Sequence, residues 1–349
     1  MIPVIFGLSG PTLTADERAL FRSSSPAGYI LFRRNVEGPE QVRALTDSLR
    51  ALAGDERLPI LIDQEGGRVA RLASPPWPAF PPGGRFARAW ERAPATAMAA
   101  ARANAEAIAR ILAGLGVTVD CLPVLDVPVP GAHDVIGDRA LGAEPVQVAA
   151  LGRAVLDGLQ AGGVVGVVKH VPGHGRARAD SHHELPVVTA GAAELEADLA
   201  PFIRLADAPM AMTAHVLYTA WDRELCASLS PAIIGGVIRG RIGFDGLLMS
   251  DDLGMQALAR QPGGDSMAGR AEGVLSAGCD VALHCSAVLA EMDEVAAAVP
   301  EMAEVARLRL ERAMAWATQP WRGAEAGMAP AVGVETLLAK RDALLEAAG

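Results

Sequence analysis

Gly163-Val164-Val165-Gly166-Val167-Val168 runs directly into Lys169-His170-Val171-Pro172-Gly173-His174-Gly175, and after four more residues comes Asp180-Ser181-His182. The first run is apolar and β-branched without alternation, the pattern of a strand buried on both faces in a parallel sheet. Such a strand delivers a lysine and a histidine at its carboxyl end. The segment from Val171 to His183 then carries glycines, a proline, two arginines, an aspartate and three further histidines. A solvated loop with incidental histidines is one reading, but so many titratable groups exceed what a connector needs. The Asp180-x-His182 spacing lets a carboxylate hydrogen-bond an imidazole and set its tautomer and basicity.

Working outward, the same unit of strand, loop and helix recurs. Short apolar runs at 3–8, 28–32, 58–62, 117–125, 164–168, 209–212, 246–249 and 280–283 read as strands. Segments 16–22, 39–53, 87–115, 145–160, 192–205, 231–241 and 269–277 place apolar residues three and four apart and read as helices. Glycines at helix ends, as in Gly162-Gly163-Val164 and Gly278-Cys279-Asp280, mark where the chain turns back toward the next strand. About eight strands alternating with helices predict an α/β fold, a single-domain (β/α)8 TIM-like barrel over residues 1–349. Residues 320–349 are expected to form a peripheral helical tail.

The 349-residue chain is 51% hydrophobic but only 4% aromatic, so its core is expected to be aliphatic. Its net charge of -10 argues against nucleic acid or an anionic membrane surface as partner. No apolar run is long enough to span a bilayer, and the N-terminus lacks the basic region of a signal peptide. Cys121, Cys226, Cys279 and Cys285 form no C-x-x-C pair and read as free thiols. A cytoplasmic protein, expected to be a monomer, follows.

In a barrel of this type the loops after the strands carry the chemistry. Asp63, Glu65 and Arg71 follow the third strand, Asp126 and Arg139 the fourth, Lys169 and His170 the fifth, His215 the sixth, Asp251 and Asp252 the seventh, and His284 and Cys285 the eighth. Asp63, Arg71, Arg139, Lys169 and His170 are suited to neighbouring hydroxyl groups, as on a carbohydrate. Asp251 can serve as a carboxylate nucleophile at an anomeric carbon. Asp252 is the competing choice, but strand alternation points the two aspartates in opposite directions and favours Asp251. His182, held by Asp180, is the best-placed acid/base. The order H-x3-H-x7-H-H from His170 to His183 matches no metal-ligand spacing, so no metal is expected. His215 and His284 read as core or supporting groups, His133 as a solvated loop residue. Asp126 either binds sugar or supports Arg139, with support favoured.

Longer blocks carry a resemblance to a known family. They are Asp63-Gln64-Glu65-Gly66-Gly67-Arg68-Val69, Pro123-Val124-Leu125-Asp126, Ile136-Gly137-Asp138-Arg139, Lys169-His170-x-Pro172-Gly173-His174-Gly175, Asp180-Ser181-His182, Met212-Thr213-Ala214-His215 and Gly243-Phe244-Asp245-Gly246 leading into Ser250-Asp251-Asp252-Leu253-x-Met255. In these blocks the sequence resembles the bacterial β-N-acetylglucosaminidases of glycoside hydrolase family 3. The resemblance implies Asp251 as nucleophile, His182 as acid/base with Asp180 orienting it, and Asp63, Arg71, Arg139, Lys169 and His170 around an N-acetylglucosamine ring. It implies retaining hydrolysis without cofactor, on N-acetylglucosamine β-1,4-linked to anhydro-N-acetylmuramic acid, with or without peptide, in peptidoglycan recycling. Val171 departs from the family's usual phenylalanine. Two rival functions stand beside this one: a phosphorylase, because a neutral histidine repels an anionic acceptor less than a carboxylate does, and a non-catalytic sugar-binding barrel.

Overall fold

A computed structural model describes residues 1–317 and 333–349. Eight parallel strands close into a barrel: β1 (Ile2–Gly7), β2 (Pro26–Leu31), β3 (Ile60–Ile62), β4 (Val119–Asp120), β5 (Val165–Val171), β6 (Met210–Thr213), β7 (Leu247–Asp252) and β8 (Val281–His284). Each strand pairs with the one before and after it in the chain, and β8 returns to β1 with Val4 opposite Ala282 and Ile5 opposite Leu283. Each expected strand is present. The strands carrying the motifs run further than their apolar letters, however. β5 extends through Lys169 and His170, and β7 includes Asp251 and Asp252.

Alternation sorts the strand residues. Ile5, Ile30, Leu61, Val119, Val167, Leu247, Met249 and Leu283 fill the barrel interior. Their neighbours Val4, Phe6, Leu31, Ile60, Ile62, Val168 and Leu248 pack outward beneath the helices. The interior set is mostly aliphatic and fully buried, so truncating one of its leucines costs about 2–5 kcal/mol. The period of two continues Leu247 and Met249 into Asp251, and Val165 and Val167 into Lys169, which brings both polar side chains to the mouth of the barrel.

The helices follow their sequence signals. In α1 (Ala15–Ser24) Thr14 and Glu17 make a capping box, and α2 (Pro39–Ala53) starts on proline and stops at Gly54. The long helix expected over 87–115 is two: α3 (Gly83–Trp90) and α4 (Pro94–Gly114). Pro94 lacks the N–H that a continuing helix would need, so it opens the second helix instead. The remaining helices are α5 (Pro145–Ala161), α6 (Ala192–Arg204), a wide π-helix (Ala232–Ile242), α7 (Met267–Ala277), α8 (Leu289–Ala298) and α9 (Glu304–Met314). Of the expected tail, 320–332 lies outside the described residues, and the rest forms α10 (Val334–Ala347), packed against α4 outside the barrel. Among the described residues no helix is long and apolar enough to cross a membrane.

Two braces matter for the mouth. Arg341 of α10 bonds Asn104 of α4 and stands over the Phe80 ring, whose carbonyl accepts from Gly67 N–H at 2.8 Å. Gly67 closes the hairpin Gln64–Gly66 with Val69–Ala70, and both Gly66 and Gly67 have positive φ. In the neighbouring loops Gly175 lies so close to the Val127 carbonyl that a Cβ there would come within 2.0 Å.

Candidate active site

One cavity of about 280 Å³ opens at the carboxyl ends of the strands. Its wall contains Asp63, Arg71, Arg139, Lys169, His170, His182 and Asp251 together. Thus seven of the eight expected site residues line a single space, and the eighth, Asp180, stands behind His182.

An alternating run of charges forms one wall. Arg71 Nη2 donates to Asp63 Oδ2 at 2.9 Å, and Lys169 Nζ to Asp63 Oδ1 at 3.0 Å. Lys169 Nζ also meets Glu65 Oε1 at 2.6 Å. Glu65 in turn takes Arg139 through Nε at 2.9 Å and Nη2 at 2.8 Å, a bidentate pair. Burial alone would raise the Asp63 carboxyl, but Lys169 and Arg71 overcome it and hold Asp63 well below the usual carboxylate range. Glu65 is lowered for the same reason, burial being outweighed by Lys169 and Arg139. Burial would lower Lys169, yet Asp63 and Glu65 push its ammonium above the ordinary value. The run holds three basic groups, Arg71, Lys169 and Arg139, against two carboxylates. Phe32, also in the cavity wall, carries the Arg71 guanidinium 5.1 Å from its ring centroid.

The carboxylate hydrogen-bonded to Arg139 is Glu65, and Asp126 supports that guanidinium only through space, as a nearby negative charge. Asp126 itself clamps the end of β5. Its Oδ2 bonds His170 Nδ1 at 2.7 Å, and its Oδ1 accepts from the His170 and His174 backbone N–H groups at 3.2 and 2.6 Å. Burial opposes the charge on Asp126, but the His170 and His174 contacts bring its carboxyl down to about 2. With Nδ1 engaged, His170 has Nε2 left for the cavity it lines.

Asp251 is nearly buried, with Oδ1 accepting the Asp252 backbone N–H at 2.8 Å. Asp252 is committed elsewhere: its Oδ1 accepts the Gly254 and Cys285 N–H groups, both at 3.0 Å. That separates the two adjacent aspartates as the alternation argument expects. His182 sits on the loop after β5, more than half exposed, with Nδ1 bonded to Asp180 Oδ1 at 2.7 Å. Slight burial acts to raise Asp180, but the backbone N–H and ring of His182 pull it below its ordinary value. This bond leaves Nε2 of His182 for the cavity it lines. The adjacent Ser181 is buried, and its carbonyl accepts Ala257 N–H at 3.1 Å, tying the loop to the segment that follows Asp251. Val171, where the family usually has phenylalanine, is fully buried.

His215 and His284 are buried, His215 bonding Ser228 and the Asp252 carbonyl, His284 pairing with Glu291. Among the described residues no group of three or more His, Cys, Asp or Glu side chains is arranged to hold a metal ion. The four cysteines are free thiols. Glu65 is the wall residue that sequence reasoning left without a role. Its signal was present, since Gln64–Gly66 is a strand that alternates and Asp63 and Glu65 are two residues apart, on one face.

Comparison with known proteins agrees with this fold. Residues 7–316 match the family model for the glycosyl hydrolase family 3 N terminal domain. The chain is 43% identical over 289 residues to a beta-hexosaminidase of Alkalilimnicola ehrlichii, covering 81% of this chain and 80% of the relative. It is 40% identical over 318 residues to a beta-hexosaminidase of Chromobacterium violaceum, covering 89% and 86%. It is similar in fold to NagZ from Neisseria gonorrhoeae, crystallised in complex with N-trifluoroacetyl-D-glucosamine, with a TM-score of 0.82, 30% identity, and 99% and 98% of the two chains covered.

Proposed function

The chain belongs to glycosyl hydrolase family 3, and from that premise we propose that this glycosidase is a retaining, exo-acting β-N-acetylglucosaminidase. Its substrate is N-acetylglucosamine β-1,4-linked to anhydro-N-acetylmuramic acid, with or without a peptide, in cytoplasmic peptidoglycan recycling. The catalytic unit is a single barrel acting as a monomer. One observation supports this reading above the others: Asp251 and the Asp180-held His182 share one small cavity with the charged wall. A space of about 280 Å³ suits one sugar residue rather than a chain, which favours action on a terminal unit. Relatives bearing the name beta-hexosaminidase, and one that binds a glucosamine derivative, support the sugar assigned.

The proposed reaction has two steps. An Asp251 carboxylate oxygen attacks the anomeric carbon while His182 gives its Nε2 proton to the departing glycosidic oxygen. The bond to the leaving sugar breaks and a glycosyl ester of Asp251 forms. His182, now neutral, takes a proton from a water whose oxygen attacks the same carbon. The ester bond breaks and Asp251 is released. Both steps pass through a cationic sugar ring that the Asp251 carboxylate stabilises. Asp63, Arg71, Arg139, Lys169 and His170 hold the ring hydroxyls and the N-acetyl group.

Hydrolysis of para-nitrophenyl N-acetyl-β-glucosaminide by wild type, Asp251→Ala and His182→Ala tests the assignment. Wild type should turn over at the same rate with and without phosphate. Asp251→Ala should be inactive while still binding N-acetylglucosamine. His182→Ala should be slowed mainly in the second step, because nitrophenol leaves without a proton. Strict dependence on phosphate, or full activity in Asp251→Ala, would overturn the proposal.

A further inference from the structure

His174 has no part in the mechanism just described, although it stands in the wall of the same cavity. It is nearly buried, with 4% of its surface exposed. Its backbone N–H is fixed by Asp126 Oδ1 at 2.6 Å, and its ring stands edge-on to His170, centroids 5.8 Å apart. Neither ring nitrogen has a protein partner among the described residues, and Nδ1 is sealed from the cavity as well. Burial is the largest influence on this ring and brings its pKa down to about 4, so the imidazole is neutral at working pH. A neutral imidazole has one N–H and one lone pair. Burying an unpaired N–H costs more than burying an unpaired acceptor. The proton therefore belongs on Nε2, the nitrogen that is not sealed.

We propose that His174 is a further ligand-contacting residue of this site, donating its Nε2–H to an acceptor oxygen of the bound sugar. The inference rests on the sugar-site reading above and adds a group to it. The acceptor is a hydroxyl or an acetamido carbonyl, both of which take a neutral donor. A neutral donor also suits its position near Asp251. An imidazolium there would pair with the nucleophile and blunt it, whereas a neutral ring leaves the carboxylate free. The single carboxylate of Asp126 thus sets two histidines at once, His170 through its ring and His174 through its backbone.

Calorimetric titration of N-acetylglucosamine into wild type, His174→Phe and His174→Gln tests this, alongside nitrophenyl hydrolysis and thermal melting. His174→Phe keeps an aromatic ring but removes the donor. It should weaken N-acetylglucosamine binding about tenfold and raise KM, since a sugar oxygen is left unpaired. His174→Gln places an amide N–H near the Nε2 position and should recover most of the loss. His174→Leu takes the place of the phenylalanine variant if that variant does not fold. Binding within about twofold of wild type in the donor-free variant would overturn the inference, as would equal loss in the phenylalanine and glutamine variants. Absence of sugar binding and hydrolysis in wild type itself would instead overturn the functional reading on which the inference rests.

Discussion

Replacing Glu65 by glutamine keeps the shape of the site wall and removes one charge from its middle. In the native wall Glu65 accepts both Arg139 nitrogens and the Lys169 ammonium within 2.9 Å. The amide oxygen can satisfy one of these cations, while its NH2 group faces donors. Removing one partner of a buried ion pair costs about 3–5 kcal/mol, and the retained oxygen places this case at the low end, near 3 kcal/mol. For a chain of 349 residues that is roughly a 4 °C fall in melting temperature. The released Lys169 and Arg139 also lose their fixed aim at the sugar. About 2.7 kcal/mol of binding lost in ground and transition state alike gives a hundredfold lower kcat/KM. Because the wall holds both states equally, KM should carry most of that change. A pH series adds a check. The Glu65 pKa is lowered on folding, so its stabilising effect is present above the ordinary carboxylate value of about 4 and is lost as pH falls through the folded value. The stability gap between wild type and variant should close in that acidic range. Hydrolysis of para-nitrophenyl N-acetyl-β-glucosaminide and thermal melts on the same samples read both effects. A variant with kcat/KM within about threefold of wild type and an unchanged melt would refute the view that Glu65 aims the two cations.

Asp120 gives a pH effect of opposite sign. It is buried beside the charged wall, one oxygen accepts Gln64 N–H, and the other has no partner among the described residues. Burial pushes its pKa up to about 7. A raised folded pKa means stability that is full below the ordinary value of about 4 and is lost as pH rises through about 7. Asp120→Asn should therefore be the more stable protein near about pH 8, by an amount on the order of a few kcal/mol, with the difference shrinking toward about pH 5 in denaturant melts. A gap independent of pH would contradict the assignment. Gly175→Ala should lower the melting temperature and the rate together, because its Cβ would lie 2.0 Å from the Val127 carbonyl and the loop anchor must move. A melt and kcat equal to wild type would show that the approach is not tight.

The barrel was legible because each of its strands is a short aliphatic run set between glycine signals and helical periodicity. The site was legible because its residues sit at strand ends, where alternation and topology deliver them to one rim. What was not legible depends on contacts between distant segments. Nothing near Asp126 says that it will clamp His170 and His174, since the partners are 44 and 48 residues away. Glu65 and Arg139 are 74 residues apart and meet only when two strand-end loops converge. The split between α3 and α4 is a different case. Pro94 stood in the sequence, and the apolar spacing on both sides of it hid a boundary that proline chemistry marks.

The proposed catalytic pair is held in two unlike ways. Asp251 belongs to a barrel strand, whose pairing and interior packing fix it from both sides. His182 rides on a loop, steadied within it by Asp180, and that loop is tied to the segment after β7 by the Ser181–Ala257 bond. Loop length and composition can change without moving any strand, so the proposed proton donor is the replaceable half of this machinery and the proposed nucleophile its fixed frame. A barrel built this way can exchange its acid/base group, or adapt the loop to a new leaving group, while the wall that holds the sugar stays as it is.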